Sequence, residues 1–251
     1  MTDLRGRTAV VTGGNGGIGL GMAVGLARAG ADVAIWARNP DKSSEAVKEL
    51  LAQGVRAQAF ACDIADEDAV AQTTADTIDV FGKIDTLVAN AGVADASAYL
   101  DTSLGDWQRI LKTNLDGTFL CTREVARHMV DRGEGGSMIV VSSTVARYGA
   151  AGQAAYAASK SACASVGRTI AVEFARHRIR CNILIPGWVS TPMNDHLRED
   201  QRFFDATVRR TPARRWASPD EFHEVAAFLA DPALTFHTGN EVVVDGGYTI
   251  F

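Results

Sequence analysis

Short apolar runs punctuate the chain at regular intervals. They are "TAVVT" (8–12), "DVAIWA" (32–37), "RAQAFAC" (56–62), "DTLVAN" (85–90), "SMIVVSS" (137–143), "IRCNILIP" (179–186) and "EVVVDG" (241–246). Their hydrophobicity is nearly continuous instead of alternating, which predicts strands buried on both faces. Between them, amphipathic segments at about 17–30, 41–53, 66–81, 106–131, 154–177 and 218–230 predict helices. Asp66 ahead of "EDAV" and the stretch Ser218-Pro219-Asp220-Glu221 read as helix starts, with capping side chains and a proline in the first turn. Strand and helix alternate about six times. That order predicts an α/β fold: a doubly wound parallel sheet of about seven strands with helices on both faces. No internal repeat, low-complexity tract or linker interrupts it, so residues 1–251 are expected to form a single domain. The one long stretch without a clear period, about 188–217, is expected to be an irregular and functional loop.

Composition narrows the class of partner. The 251 residues are 47% hydrophobic and 22% charged, as suits a globular protein with a large core. The net charge is −5 and no Lys/Arg block stands out, which argues against nucleic acid or an anionic membrane. No apolar run approaches the ~18 residues of a membrane span, and the start has no secretory pattern, so a cytoplasmic protein is expected. Cys62, Cys121, Cys163 and Cys181 are scattered and read as reduced core thiols. The histidines show no ligand spacing such as HExxH, and no metal site is expected.

The turn after the first run is "VVTGGNGGIGLG". Gly14, Gly16 and Gly19 fit GxGxxG; Gly13, Gly17 and Gly19 fit TGxxxGxG. In both readings glycine permits a tight turn and close approach, and the next helix offers free N–H groups and a positive dipole end to a pyrophosphate. Following a strand and opening a helix, this loop predicts dinucleotide binding on a Rossmann-type domain. At the end of the second strand, where a carboxylate would accept an NAD ribose hydroxyl, stand Ala37, Arg38 and Asn39. The arginine suits a 2′-phosphate, so NADP(H) is favoured and NAD(H) is the alternative.

Tyr156 and Lys160 lie four residues apart in a predicted helix and therefore on one face. An unperturbed tyrosine is a poor base near neutrality, and a nearby ammonium favours its phenolate. Such a tyrosine could give a proton to a carbonyl oxygen or take one from an alcohol. Alone, the pair reads equally as a half-buried helix tyrosine with a solvated lysine. It is accompanied by Ser143 at the end of a strand, where this architecture binds ligands, by "VANAG" (88–92) at the end of another, and by Asn114 in "KTNLDG".

With "TGGNGGIG", "CDIAD", "VANAG", "KTNLDG", Ser143 before "YAASK", "IPGWVST" and "VDGGY" in that order, the whole chain resembles the compact branch of the short-chain dehydrogenase/reductase family. The resemblance implies an NAD(P)-dependent oxidoreductase that interconverts a ketone and a secondary alcohol. In it Tyr156 would be the acid/base and Ser143 would bond the substrate oxygen. Lys160 would hold the nicotinamide ribose and favour the phenolate, while Asn114 would support a water relaying a proton. The cofactor would lie along Gly13, Asn15, Gly17, Ile18 and Gly19, then Arg38, Asn39, Asp63, Ile64, Asn90 and Gly92. It would end at Tyr156, Lys160, Pro186, Gly187, Val189 and Thr191, the last four around the carboxamide. Many NADP-using relatives carry a basic residue where this chain has Gly16. Relatives also pair through helices corresponding to 106–131 and 154–177, which implies a homotetramer or homodimer.

Residues 188–217 would close over the substrate. Ser143, Gln153, Tyr156, Trp188 and Met193 are the candidate substrate contacts. Trp188, Met193, Leu197, Phe203, Phe204 and Trp216 could wall a hydrophobic or ring-shaped ketone, or simply pack the lid onto the body. Arg214 and Arg215 could meet an acidic substrate or be solvated or paired. The lid region resembles that of gluconate and deoxygluconate dehydrogenases, and 3-oxoacyl-thioester reductases are the other close class. A non-enzymatic dinucleotide-binding regulator is the reading from a different class. The Ser143, Tyr156, Lys160 and Asn114 set argues against it, since a sensor needs no proton-transfer group.

Overall fold

A computed structural model describes residues 2–251. Seven strands, β1 (Thr8–Thr12), β2 (Asp32–Ala37), β3 (Ala57–Ala61), β4 (Thr86–Ala89), β5 (Gly136–Val141), β6 (Ile179–Pro186) and β7 (Glu241–Val244), form one sheet in the order β3-β2-β1-β4-β5-β6-β7. Every pairing is parallel. This is the doubly wound architecture that the runs predict. Because side chains alternate along a strand, the apolar runs feed both faces. Val11, Ile35, Val88 and Ile139 pack on one side, with Met22 and Leu26 of α1 (Gly17–Arg28), Leu50 of α2 (Pro40–Leu51) and Leu229 of the last helix. Val10, Trp36, Leu87 and Met138 pack on the other, against Val70 of α3 (Glu67–Phe81) and Val125 of a central helix.

The helix starts are as expected. Asp66 accepts the Ala69 N–H at 3.0 Å, and Ser218 with Glu221 forms a reciprocal capping box. The latter opens a single 3₁₀ turn, Pro219–Phe222, before the last helix, His223–Ala230.

Two expectations are corrected. The segment 106–131 is not one helix. It is α4 (Leu104–Leu111), a π turn (Lys112–Asp116) and α5 (Gly117–Arg132). At the turn the Gly117 N–H reaches back five residues to the Lys112 carbonyl. The widening brings Asn114 inward, where its amide pairs with the main chain of Val93. Nor is 188–217 irregular: it folds into a 3₁₀ turn and two helices, α7 (Asp195–Glu199) and α8 (Gln201–Arg210). Asp200 caps α8 by accepting the Phe203 N–H at 3.1 Å. The remaining helices are α6 (Ala154–Glu173) and α9, the His223–Ala230 helix already described.

Candidate active site

A cleft of about 1140 Å³ opens along the C-terminal ends of the strands, where the loops after β1, β2, β4, β5 and β6 converge. Its floor at one end is the glycine loop. A Cβ on Gly19 would lie 2.4 Å from both Asn90 Nδ2 and the Gly13 carbonyl, so only glycine lets the α1 start sit this close. The first turn of α1 carries no acidic residue and no side-chain cap. Its free N–H groups and dipole therefore face the cleft, as a pyrophosphate requires.

The flanking strands fix this end. Thr12 Oγ1 accepts the N–H groups of Asn90 (2.9 Å) and Ala91 (3.0 Å), and Asn90 donates its amide to the Thr12 carbonyl at 3.0 Å. Asn90 thus lines the cleft with its amide engaged by β1. Thr12, the threonine of TGxxxGxG but not among the expected contacts, holds the two loops together. Asn15 donates to Ser43 Oγ at 3.0 Å, and Asn39 caps α2 through the Lys42 N–H at 3.0 Å. Arg38 and Asp63 face each other at 3.9 Å across the mouth, both well exposed. Ile64 lies beside them, and Lys42, also unforeseen, lines the same end.

At the other end β5 stops at Val141, which leaves Ser142 and Ser143 beyond the ladder. Ser142 Oγ donates to the Lys160 carbonyl at 2.8 Å and so ties α6 to the strand end. Lys160 is buried; its ammonium donates to the Val141 carbonyl at 2.9 Å and lies 5.8 Å from the centre of the Tyr156 ring. Gly92 closes the third side, for a Cβ there would be 3.4 Å from Lys160 Nζ and 3.1 Å from Asn114 Oδ1. Asn114, fully buried, accepts the Val93 N–H at 2.8 Å and donates to the Val93 carbonyl at 2.9 Å and to Ser159 Oγ at 3.0 Å. Ser159 in turn donates to the Tyr156 carbonyl at 2.7 Å. The π turn, the β4 loop and α6 are therefore one hydrogen-bonded unit beneath Tyr156.

Ser143, Gln153, Tyr156, Lys160, Pro186, Gly187, Trp188, Thr191 and Met193 all line the cleft. Thr191 packs over the glycine loop, 3.2 Å from where a Gly17 Cβ would stand. Two expected residues lie outside it. Asn114 sits below the floor, and Val189 points into the core, pairs with Ala217 and gives its carbonyl to Asn194 Nδ2 at 3.1 Å.

The aromatics of 188–217 divide between walling the cleft and packing onto the body. Trp216 is buried, donates to Thr207 Oγ1 at 2.9 Å, and stacks on Trp188 at 5.2 Å; Phe204 packs on it. Trp188, Leu197 and Phe203 wall the cleft. Arg215 is not a substrate contact: both its terminal nitrogens reach Glu221 at 2.6 Å. Arg214 donates to the Arg209 carbonyl, and neither lines the cleft. Among the unforeseen residues that do are Tyr148, Arg210 and Tyr248. Burial pushes the Tyr148 phenol up to about 12. Tyr148 thus stays a neutral hydroxyl near neutral pH.

A dinucleotide cradle joined to a Ser–Tyr–Lys centre defines a pyridine-nucleotide oxidoreductase. Comparison with known proteins agrees. The family profile described as Enoyl-(Acyl carrier protein) reductase matches residues 13–249. The gluconate 5-dehydrogenase of Gluconobacter oxydans (strain 621H) is 36% identical over 250 residues, covering 100% of this chain and 97% of that protein. The 3-oxoacyl-[acyl-carrier-protein] reductase of Synechocystis sp. (strain ATCC 27184 / PCC 6803 / Kazusa) is 34% identical over 253 residues and covers 100% of both. The crystal structure of a gluconate 5-dehydrogenase from Burkholderia cenocepacia J2315 in complex with NADP and tartrate superposes with a TM-score of 0.94 at 36% identity, covering 99% of this chain and 97% of that one. The chain belongs to the short-chain dehydrogenase/reductase family and is an NAD(P)-dependent oxidoreductase that interconverts a ketone and a secondary alcohol. No helix among the described residues is long and apolar enough to cross a membrane.

Proposed function

We propose that Tyr156 is the proton-transferring group of this enzyme, Ser143 the substrate-oxygen ligand, and Lys160 the fixed cation that serves both cofactor and tyrosine. The observation that carries this is the convergence of all three in the cleft that also holds the glycine loop. The nicotinamide, when bound, supplies or accepts the hydride. The chain's own part is to hold the reacting oxygen between Ser143 and Tyr156 and to move its proton. In the reducing direction the Tyr156 hydroxyl gives its proton to the carbonyl oxygen; in the oxidising direction its phenolate takes the alcohol proton. The Lys160 ammonium, pinned by Val141, stabilises negative charge on the phenolic oxygen as the proton leaves. Asn114 holds the floor that positions α6.

The cofactor preferred is NADP(H), with NAD(H) as the lesser partner. Arg38 at the mouth supports this, as do the NADP-bound gluconate 5-dehydrogenase structure and the absence of a carboxylate at Ala37. The substrate class favoured is a sugar acid or related hydroxy acid, after the gluconate dehydrogenases and the tartrate of that complex; a 3-oxoacyl thioester is the second reading. A cytoplasmic location fits four free, buried cysteines.

Tyr156→Phe tests the chemistry. It should bind cofactor normally and lose roughly 10²- to 10⁴-fold in turnover. Near-wild-type turnover by nicotinamide absorbance would end the assignment.

A further inference from the structure

Arg210, the last residue of α8, reaches the cleft between two tyrosines that come from distant parts of the chain. Its guanidinium carbon lies 4.3 Å from the Tyr248 ring centre and 5.0 Å from that of Tyr148. The two rings are 5.7 Å apart, and Arg210 Nη1 donates to the Tyr248 hydroxyl at 3.4 Å. Both rings are themselves fixed. The turn that carries Tyr248 is held by Asp245, which accepts from the Gly247 N–H at 2.8 Å and from the Thr249 N–H at 2.9 Å. The Tyr148 hydroxyl lies 3.5 Å from Thr144 Oγ1, and Thr144 adjoins Ser143. The clasp thus stands beside the reaction centre.

Two other arginines of the 188–217 segment have acidic partners. Arg198 faces Asp195 at 3.7 Å and Arg215 pairs with Glu221 at 2.6 Å. Asp95, the carboxylate on this side of the cleft, is taken by Arg109. Arg210 forms no ion pair among the described residues; its neighbours are the tyrosine faces and one hydroxyl. Aromatic faces attract a guanidinium and fix its plane, yet leave edge N–H groups for a planar anion to bind with two parallel bonds. A cation so arranged, in an otherwise aromatic wall, is short of one carboxylate.

We propose that Arg210, clasped by Tyr148 and Tyr248, binds the carboxylate of the substrate, and that this enzyme acts on hydroxy acids whose reacting alcohol lies at Ser143 and Tyr156. The inference rests on the chemistry assigned to Tyr156 and adds the group that selects the acid. It makes Arg210 a determinant of specificity and gives the lid a reason to end where it does.

The test pairs each acid with an uncharged counterpart: gluconate with sorbitol, and 4-hydroxycyclohexanecarboxylate with its carboxamide. Turnover with NADP⁺ and calorimetric binding to the NADP⁺-loaded enzyme are measured for wild type, Arg210→Gln and Arg210→Lys. Wild type should favour at least one acid over its counterpart, mostly through KM. Arg210→Gln should shrink that ratio roughly ten- to hundredfold, as loss of a charge-assisted contact implies, and Arg210→Lys should restore part of it. NADPH binding, followed by nicotinamide fluorescence, reports whether the variant still folds around its cofactor. The proposal is overturned if no acid is bound or turned over better than its counterpart, or if Arg210→Gln lowers both members of a pair alike. Tyr156→Phe separates the two readings. Wild-type turnover there removes the proton-transfer assignment, while the calorimetric ratio still decides the carboxylate site.

Discussion

Arg38 and Asp63, 3.9 Å apart and largely in water, form a pair too exposed to hold either side chain firmly. Arg38 is therefore free to turn to a 2′-phosphate, which a guanidinium can bind with two parallel hydrogen bonds. Arg38→Ala should weaken NADPH roughly ten- to hundredfold and NADH little. Ala37→Asp should go further, since it adds an acceptor for the NADH ribose and a repulsive charge against the phosphate. The measurement is kcat/KM with both cofactors; equal loss of both would make Arg38 an ordinary surface charge. Gly16 offers the converse experiment. Its backbone is extended (φ 178) and a Cβ would meet nothing within 4 Å, so a larger residue fits without strain. Gly16→Arg should supply the second basic contact and raise the NADPH preference further. No change in the cofactor ratio would show that the side chain does not reach the phosphate.

The elements differ in how plainly the sequence announces them. Seven apolar runs mark the seven strands to within two residues; the five inner ones are apolar throughout because both their faces are covered, while the edge strands β3 and β7 are only partly buried. The break between α4 and α5 has no such mark. It exists because Asn114 bonds Val93 and Ser159, neither near it in sequence, and a tertiary contact of that kind leaves no local period. Helix α8, inside the stretch expected to be irregular, does carry a local signal: Asp200 is a capping residue, and Phe203, Phe204, Thr207 and Val208 share a face. The flanking charges and aromatics obscured it. Tyr148, Arg210 and Tyr248 are the opposite case, for only the fold brings them together. The π turn makes a prediction at this scale. Asn114→Ala would leave the buried Val93 and Ser159 groups without their partner, at about 1–3 kcal/mol. Urea denaturation should show that loss, and turnover should fall with it as α6 loses its floor. An unchanged midpoint would mean that the turn survives without the amide.

Two expectations belong to the whole molecule. Burial, followed by the nearby arginine, holds His128 and His223 below the ordinary histidine value. Geometry agrees: His128 Nε2 accepts the Ile84 N–H at 3.1 Å, and His223 Nδ1 faces Arg28 Nη1 at 3.0 Å, so both are seated as neutral rings. The unfolded chain takes up these protons near pH 6.5 and the folded chain only lower. Stability should be full above about pH 6.5 and fall as the pH drops from there toward the folded values. A pH series of Tm checks this, and His128→Gln with His223→Gln should flatten it. The second concerns assembly. Val172, Phe236, Ile250 and Phe251 are 82%, 98%, 89% and 72% exposed around the β7 edge, and Leu104 and Phe119 are 69% and 47% exposed on α4 and α5. We propose that these two groups mark two different contacts, more than a two-fold dimer uses. Two different isologous contacts close a tetramer of dihedral symmetry, the arrangement expected here. Sedimentation at micromolar concentration should give four times the mass of the chain. Ile250→Asp with Phe251→Asp should reduce it to a dimer through one surface, Phe119→Asp to a dimer through the other, and all three together to a monomer. A wild-type chain that sediments as a stable monomer would refute the assembly and return those residues to the ordinary scatter of exposed hydrophobics.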